Sequence, residues 1–423
     1  MKKCLLFIIL FITIISNKNI YADLSLSCSS DILIDAESGR VLYGYQENKK
    51  IYPASLTKLL TALTALDLGD LDDILIVDEK TPYEVDGSHI ALEPKEELSL
   101  YDLLHGLLIA SGNDAADVIA KNYSSYEGEF LELMNEKARE LGALNSNFVN
   151  PHGLHDDNHY TTAYDLSIIA KEAYDKEIIK EIIGKNKYTI DITNIKKEAR
   201  HLISTNKLLV GTGYGNQIII NNAWVNMKYE GATGMKTGYT PKAGSCLIGS
   251  AERDGISLIT VVIKGSTTEV YTDTHKLLNY GFDNFEKINL VYANEFIKNL
   301  DISSGDSKYL SLITSEDLYT VINKDKLNEI DSSISIKDYN LPVKKGDVLG
   351  KIKYSLGDEI IGEVPLKAAF KVDLVIIEDT NLTLFALKTI ISFILAIIFL
   401  IIVLRIVNKY RLYKIRKQKK NRR

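Results

Sequence analysis

Residues 389–404 are sixteen in a row without a charge, and 405–423 hold ten Lys/Arg and no Asp/Glu. The apolar pattern reaches back through 382–387, and Lys388 between the two runs can snorkel toward lipid headgroups. About 20 residues cross a hydrocarbon core. A transmembrane helix is therefore predicted over 382–404, and 405–423 is a basic tail kept in the cytoplasm by the positive-inside rule. At the other end, Lys2 and Lys3 precede an apolar run of twelve over 4–15, and Ala22 offers a small residue for cleavage. That run is short for a span and reads as the core of a secretory signal peptide over 1–22. The expected topology is a single-pass membrane protein with its body outside the cytoplasm.

Both ends distort the charge balance. Of 50 Lys/Arg, ten lie in the tail and three in 1–22, which leaves 37 against 56 acidic residues between them, a net of −19. Phosphate binding needs clustered cations, so this body argues against nucleic acid as a partner. Three Cys in 423 residues exclude a disulfide-stapled scaffold. Only Cys28 and Cys246 lie beyond residue 22, and the sequence leaves their pairing open. The length suits two to three domains.

Residues 29–285 alternate strand-like and helix-like segments. Segments 31–35 and 41–45 read as strands around the turn 36–40. Helical periodicity runs over 55–68, with apolar residues at 56, 59, 60, 63 and 66, and over 100–109, 115–120, 130–141 and 165–173. Two more strands, 244–251 and 256–264, flank a turn, and 272–279 closes the region as a helix. Strands at both ends with helices between predict an α+β domain: one antiparallel sheet whose first and last strands pair, with a helical cluster. Over 286–380 the helical period fades and short β runs appear at 287–292, 307–314, 318–322 and 360–364. These predict a small all-β domain directly before the membrane helix.

Three short motifs carry chemistry. Ser55-Leu56-Thr57-Lys58 places Ser and Lys three apart at a helix start, on one face. A serine hydroxyl needs a base, and a lysine kept neutral by burial and a second cation can serve. Ser111-Gly112-Asn113 sits at a break between helical runs, where Ser111 can relay a proton and Asn113 can hold a peptide backbone. Lys236-Thr237-Gly238 supplies the second cation, a hydroxyl for a carboxylate, and a position without a side chain where substrate lies along a strand edge. Each motif alone is common. The order and spacing of 55, 111 and 236 make a specific constellation.

With these motifs the chain resembles the serine-type D-alanyl-D-alanine carboxypeptidases, the low-molecular-weight penicillin-binding proteins of peptidase family S11. The likeness includes Asp35-Ala36-Glu37-Ser38-Gly39-Arg40-Val41-Leu42, Pro53-Ala54-Ser55, Asn113-Asp114-Ala115-Ala116, Gly234-Met235-Lys236-Thr237-Gly238-Tyr239-Thr240, and Asn150-Pro151-His152-Gly153-Leu154 followed by Tyr160-Thr161-Thr162-Ala163. It implies a β-lactamase/transpeptidase-like fold over 29–285, that family's C-terminal β domain over 286–380, and a membrane anchor. It also implies catalysis by Ser55, Lys58, Ser111 and Asn113, and substrate binding by Lys236, Thr237, Gly238 and Tyr239. In the implied reaction Ser55 attacks the bond between two terminal D-alanines of a peptidoglycan stem, and the N–H groups of Ser55 and Tyr239 form the oxyanion hole. Penicillin and other β-lactams would acylate Ser55 as inhibitors.

One position departs from the family pattern. Aligning on Lys276-Leu277-Leu278-Asn279-Tyr280-Gly281-Phe282 puts Val270 where many relatives carry an Arg for the substrate's terminal carboxylate. Residues 208–232 are also longer than usual before the third motif. Rival readings are a DD-endopeptidase or transpeptidase, a serine β-lactamase, and an inactive wall-binding scaffold; D-alanine release and penicillin turnover separate them. His152, His155 and His159 with Asp156 and Asp157 resemble a metal cluster, but no helical His-Glu-x-x-His is present, and no metal is expected. No Gly-rich phosphate loop occurs, so no organic cofactor is expected.

Overall fold

The structure is a computed structural model that describes residues 24–375 and 380–420; the predicted signal peptide over 1–22 lies outside the described residues. Two compact units emerge. One holds the described residues up to Asn289 together with Tyr319–Ile330, and the other holds Leu290–Leu318 and the residues from Asp331 onward.

The first unit is built on five antiparallel strands: β1 (Ser30–Asp35), β2 (Val41–Tyr45), β3 (Ala232–Thr240), β4 (Gly244–Arg253) and β5 (Ile256–Gly265), in the order β2-β1-β5-β4-β3. The first and last of these do pair, with Ile32 opposite Val261 and Ile34 opposite Ile259. Asp254 and Gly255 both have positive φ, 51° and 76°, which a two-residue hairpin between β4 and β5 needs. Side chains alternate between two buried faces. Ile32, Ile34, Ile259 and Val261 join a core with the helical cluster. Leu33, Leu258 and Val262 join a second core with a helix on the opposite face. Burial on both faces explains why β5 reads as a nearly continuous apolar run.

The cluster comprises α1 (Lys58–Leu68), α2 (Leu100–Leu108), α3 (Asn113–Asn122), α4 (Glu129–Leu141), α5 (Ala163–Asp175) and α6 (Glu177–Ile183). Every residue from Lys58 to Ala65 is buried, so α1 is a core helix rather than the one-sided helix its apolar spacing predicts. Its polar side chains are satisfied inside: Thr61 Oγ1 donates to Pro151 O (2.5 Å) and Thr64 Oγ1 to Leu60 O (2.9 Å). On the other face lies α7 (Thr267–Asn284), longer than the predicted 272–279. A capping box extends it: Glu269 N–H donates to Ser266 Oγ, and Ser266 N–H donates to Glu269 Oε2.

Beyond α7 come β6 (Phe285–Val291), β7 (Phe296–Asp301), β8 (Tyr309–Thr314), β9 (Leu318–Asn323), β10 (Ile330–Ile336), β11 (Val348–Leu356) and β12 (Glu359–Ala368). Strands β6 and β9 pair with each other, and the other five form a sheet in the order β7-β8-β12-β11-β10. Leu310, Leu312, Val364 and Leu366 centre the second unit's core. The chain ends in α8 (Thr380–Lys420), a 41-residue helix whose apolar side chains are exposed. It is long and apolar enough to cross a membrane.

Candidate active site

Ser55 lies in a 3-10 turn, Ala54–Thr57, that runs directly into α1. Ala54 carries a φ of 48°, a conformation that costs a non-glycine residue energy and is held by its surroundings. The clamp is the 150–159 segment. A Cβ on Gly153 would lie 1.8 Å from Ala54 O, so only glycine fits against the turn. Thr57 Oγ1 donates to Ala54 O (2.9 Å) and lies 2.9 Å from His159 Nε2. His159 Nδ1 accepts Val149 N–H, which puts its proton on Nε2, facing Thr57. His152 supplies its carbonyl to the site, and its Nδ1 accepts Leu154 N–H. Burial holds both rings neutral, pushing His152 down to about 3 and His159 to about 4. His155 instead faces Asp157 and Tyr52. His159 and the His152 carbonyl therefore brace the turn that carries Ser55, while His155 has partners elsewhere.

Lys58 is fully buried, and its Nζ meets three oxygens: Ser55 Oγ at 3.0 Å, Asn113 Oδ1 at 2.6 Å and His152 O at 2.7 Å. Burial, and then the nearby Lys236 ammonium, hold its amine well below the ordinary lysine range. A neutral amine has two N–H donors and one lone pair. The two carbonyl oxygens take the donors, which leaves the lone pair facing the Ser55 hydroxyl.

Ser111 joins α2 to α3 with a φ of 61°, a second non-glycine residue in the left-handed region. Its Oγ lies 2.8 Å from Lys236 Nζ, which also donates to Thr237 O (2.9 Å). Burial lowers Lys236 to about 7. Asn113 opens α3 and donates from Nδ2 to Asp86 O (2.6 Å), so one amide touches both Lys58 and the cleft's rim.

The third motif lies on β3 itself, the edge strand of the sheet. A Cβ on Gly238 would fall 3.1 Å from Ser55 N and 3.2 Å from Pro53 O. The absent side chain is what lets β3 run beside the nucleophile's turn. Tyr239 follows it, 67% exposed.

Six of the eight predicted site residues line one cleft of about 520 Å³, Ser55, Ser111, Asn113, Thr237, Gly238 and Tyr239, and the buried Lys58 and Lys236 reach Ser55 and Ser111 from behind it. Two residues that sequence reasoning missed also line it, Thr205 and Lys207. Thr205 Oγ1 shares a 2.7 Å hydrogen bond with Thr237 Oγ1, and Lys207 N–H donates to Tyr271 Oη (3.0 Å). No local pattern marks them, because tertiary packing brings them to β3. Val270 is buried in the same wall, so that part of the cleft is apolar.

The D-alanyl-D-alanine carboxypeptidase family profile matches residues 17–267, and the penicillin-binding protein 5 C-terminal domain profile matches 285–374. The D-alanyl-D-alanine carboxypeptidase DacF of Bacillus subtilis is 33% identical over 354 residues, covering 82% of this chain and 86% of its own. The crystal structure of penicillin-binding protein 5 from Haemophilus influenzae superposes with a TM-score of 0.65 at 29% identity, covering 82% of this chain and 98% of that one. A Streptomyces K15 DD-transpeptidase superposes at 0.55 with 27% identity over 61% of this chain and 98% of its own. The chain belongs to the D-alanyl-D-alanine carboxypeptidase family of serine peptidases.

Proposed function

We propose that this protein removes the terminal D-alanine from peptidoglycan stem peptides through an acyl-enzyme on Ser55. The observation that carries the assignment is the 3.0 Å approach of the buried Lys58 Nζ, its amine held well below the ordinary lysine range, to Ser55 Oγ. Lys58 takes the hydroxyl proton as Oγ attacks the penultimate carbonyl. The N–H groups of Ser55 and Tyr239 stabilise the oxyanion, donors worth about 3 kcal/mol each in comparable sites. The proton passes through Ser111 to the leaving D-alanine amine. Water, deprotonated through Lys58 and Ser111, then hydrolyses the ester. Asn113 orients the peptide, Lys236 and Thr237 receive the terminal carboxylate, and Gly238 leaves room for substrate beside β3. A β-lactam enters the same cleft as a substrate mimic.

The protein acts at the cell membrane. An exported body, the 382–404 span and the basic 405–423 tail on the cytoplasmic side are the arrangement supported by the signal-like start and by α8.

The test is D-alanine release from a peptide ending in D-Ala-D-Ala by the detergent-solubilised full chain. Wild type is expected to release D-alanine, and Ser55→Ala to release none. Turnover that survives Ser55→Ala would refute the assignment. Absence of release from folded wild type that still forms a penicilloyl adduct would point to another acyl acceptor, as in a transpeptidase.

A further inference from the structure

On the sheet face away from the helical cluster, three side chains with no part in the proposed reaction converge. Cys28 precedes β1, Asp31 lies on β1, and Asp273 lies on α7. All three are buried, and one ligand atom from each lies within 4.8 Å of the others. Asp273 Oδ2 accepts the N–H groups of Ser27 (2.7 Å) and Cys28 (2.8 Å), which fixes the carboxylate and draws the chain leading into β1 against α7. Its Oδ1 has no hydrogen-bond partner. Asp31 is 0% exposed and neither of its carboxylate oxygens has a partner. A Cβ on Gly265 would lie 2.5 Å from Cys28 Sγ, so a glycine makes the space the sulfur occupies.

Such an arrangement is costly in a bare protein. Buried carboxylates are ordinarily paired with cations or fully hydrogen-bonded, and among the described residues no lysine, arginine or histidine forms an ion pair with Asp31 or Asp273. What the cluster lacks is positive charge at its centre. One thiolate and two carboxylates are a donor set for a borderline-soft divalent ion; magnesium and calcium take oxygen ligands only.

We propose that Cys28, Asp31 and Asp273 form a binding site for a zinc-type divalent cation. Zinc takes Cys sulfur at about 2.3 Å and carboxylate oxygen at about 2.0–2.2 Å in a tetrahedral shell. Small side-chain rotations bring the three atoms to those distances, and a fourth position is left for water or a backbone carbonyl. Binding displaces the Cys28 thiol proton and the proton that burial and the neighbouring Asp273 favour on Asp31, and leaves both carboxylates ionised. The ion joins the segment before β1 to α7, whose first two turns carry Val270 and Tyr271 of the cleft wall. It is a structural tie rather than a participant in acyl transfer.

Metal content and cobalt spectra of the purified full chain test this. Protein made with zinc supplied is expected to retain about one equivalent, and added Zn(II) is expected to raise the melting temperature of chelator-treated protein. The cobalt form should show a thiolate-to-metal charge-transfer band. That band should survive Cys246→Ser and vanish in Cys28→Ser. Asp31→Asn keeps the shape of the side chain and should weaken zinc at least about 100-fold, since loss of outer partners alone costs 10–100-fold. Penicillin acylation of each variant reports folding. The proposal is overturned if wild type holds no zinc and shows no zinc-dependent stabilisation. It is equally overturned if the cobalt form lacks the thiolate band, or if Cys28→Ser binds zinc as tightly as wild type. The wild-type spectrum decides even where a variant does not fold.

Discussion

Two lysines share one buried site, and they cannot both carry charge at low cost. Lys58 is held well below the lysine range, and Lys236 at about 7. In the proposed reaction Lys58 serves as the free base and Lys236 as the ammonium, the division of labour that two groups pushed down unequally can support. Activity therefore rises as Lys58 loses its proton, and falls as Lys236 loses its own. For D-alanine release, kcat/KM is expected to follow a bell whose upper limb lies near pH 7. The upper limb of kcat is displaced to higher pH, because a bound substrate carboxylate favours the Lys236 ammonium. A kcat/KM that stays level from about one pH unit below that limb to about two above it would separate Lys236 from the charge it is assigned. At this scale the sequence was informative about which residues matter. Ser55, Lys58, Ser111 and Lys236 all stand in short motifs, and spacing alone put Ser55 and Lys58 on one face. The lone pair's direction was not legible, since it depends on the carbonyl of His152 and the amide of Asn113 occupying the two N–H donors.

Secondary structure holds the cleft's rim through one buried ion pair. Arg200, on the strand Arg200–Ile203, clasps Glu96 with both terminal nitrogens (2.7 and 2.6 Å) and donates to Ile90 O and Ala91 O. The same loop gives its Ile90 and Leu92 N–H groups to Asp114, and its Ser88 carbonyl accepts Asn113 N–H. Arg200→Met leaves Glu96 buried without its partner, and is expected to destabilise the first unit by about 3–5 kcal/mol. Urea unfolding measures it, and penicillin acylation should slow as the loop that seats Asn113 loosens. A loss below about 1 kcal/mol would mean that solvent reaches the pair. Elements whose signals are local were readable: the hairpin from 31 to 45, and the strands on either side of Asp254-Gly255. The strand β3 was not. Thr233-Gly234-Met235-Lys236-Thr237-Gly238 has two glycines and a lysine, poor strand formers alone, and becomes a strand by pairing with β4. The early start of α7 was encoded in Ser266 and Glu269, a capping box lying outside the apolar period that marked 272–279.

At the scale of the whole molecule, charge asymmetry was the plainest signal, and α8 matches it. At 1.5 Å per residue its 41 residues extend about 60 Å, twice a hydrocarbon core. Its apolar half is long enough to span such a core, and its basic half adds a similar length. The full chain is expected to sediment with membranes after alkaline carbonate washing, and a chain ending at residue 379 to stay in the supernatant. If the shortened chain still sediments, α8 is not the anchor. How the chain divides was less legible, because strand pairing across long separations leaves no periodic trace. Strand β9 falls in the middle of the C-terminal β sequence, yet Tyr319–Ile330 groups with the first unit. There Arg40 Nη1 donates to Val321 O (2.8 Å) and Lys324 Nζ to Asp283 O (2.7 Å). The chain thus passes between its units three times, after Asn289, Leu318 and Ile330. A gene recombined at one breakpoint just past the catalytic codons would send a piece of the peptidase away with its neighbour. A piece carrying the first unit alone would therefore have to cover, with residues of its own, the ground that Tyr319–Ile330 occupies here.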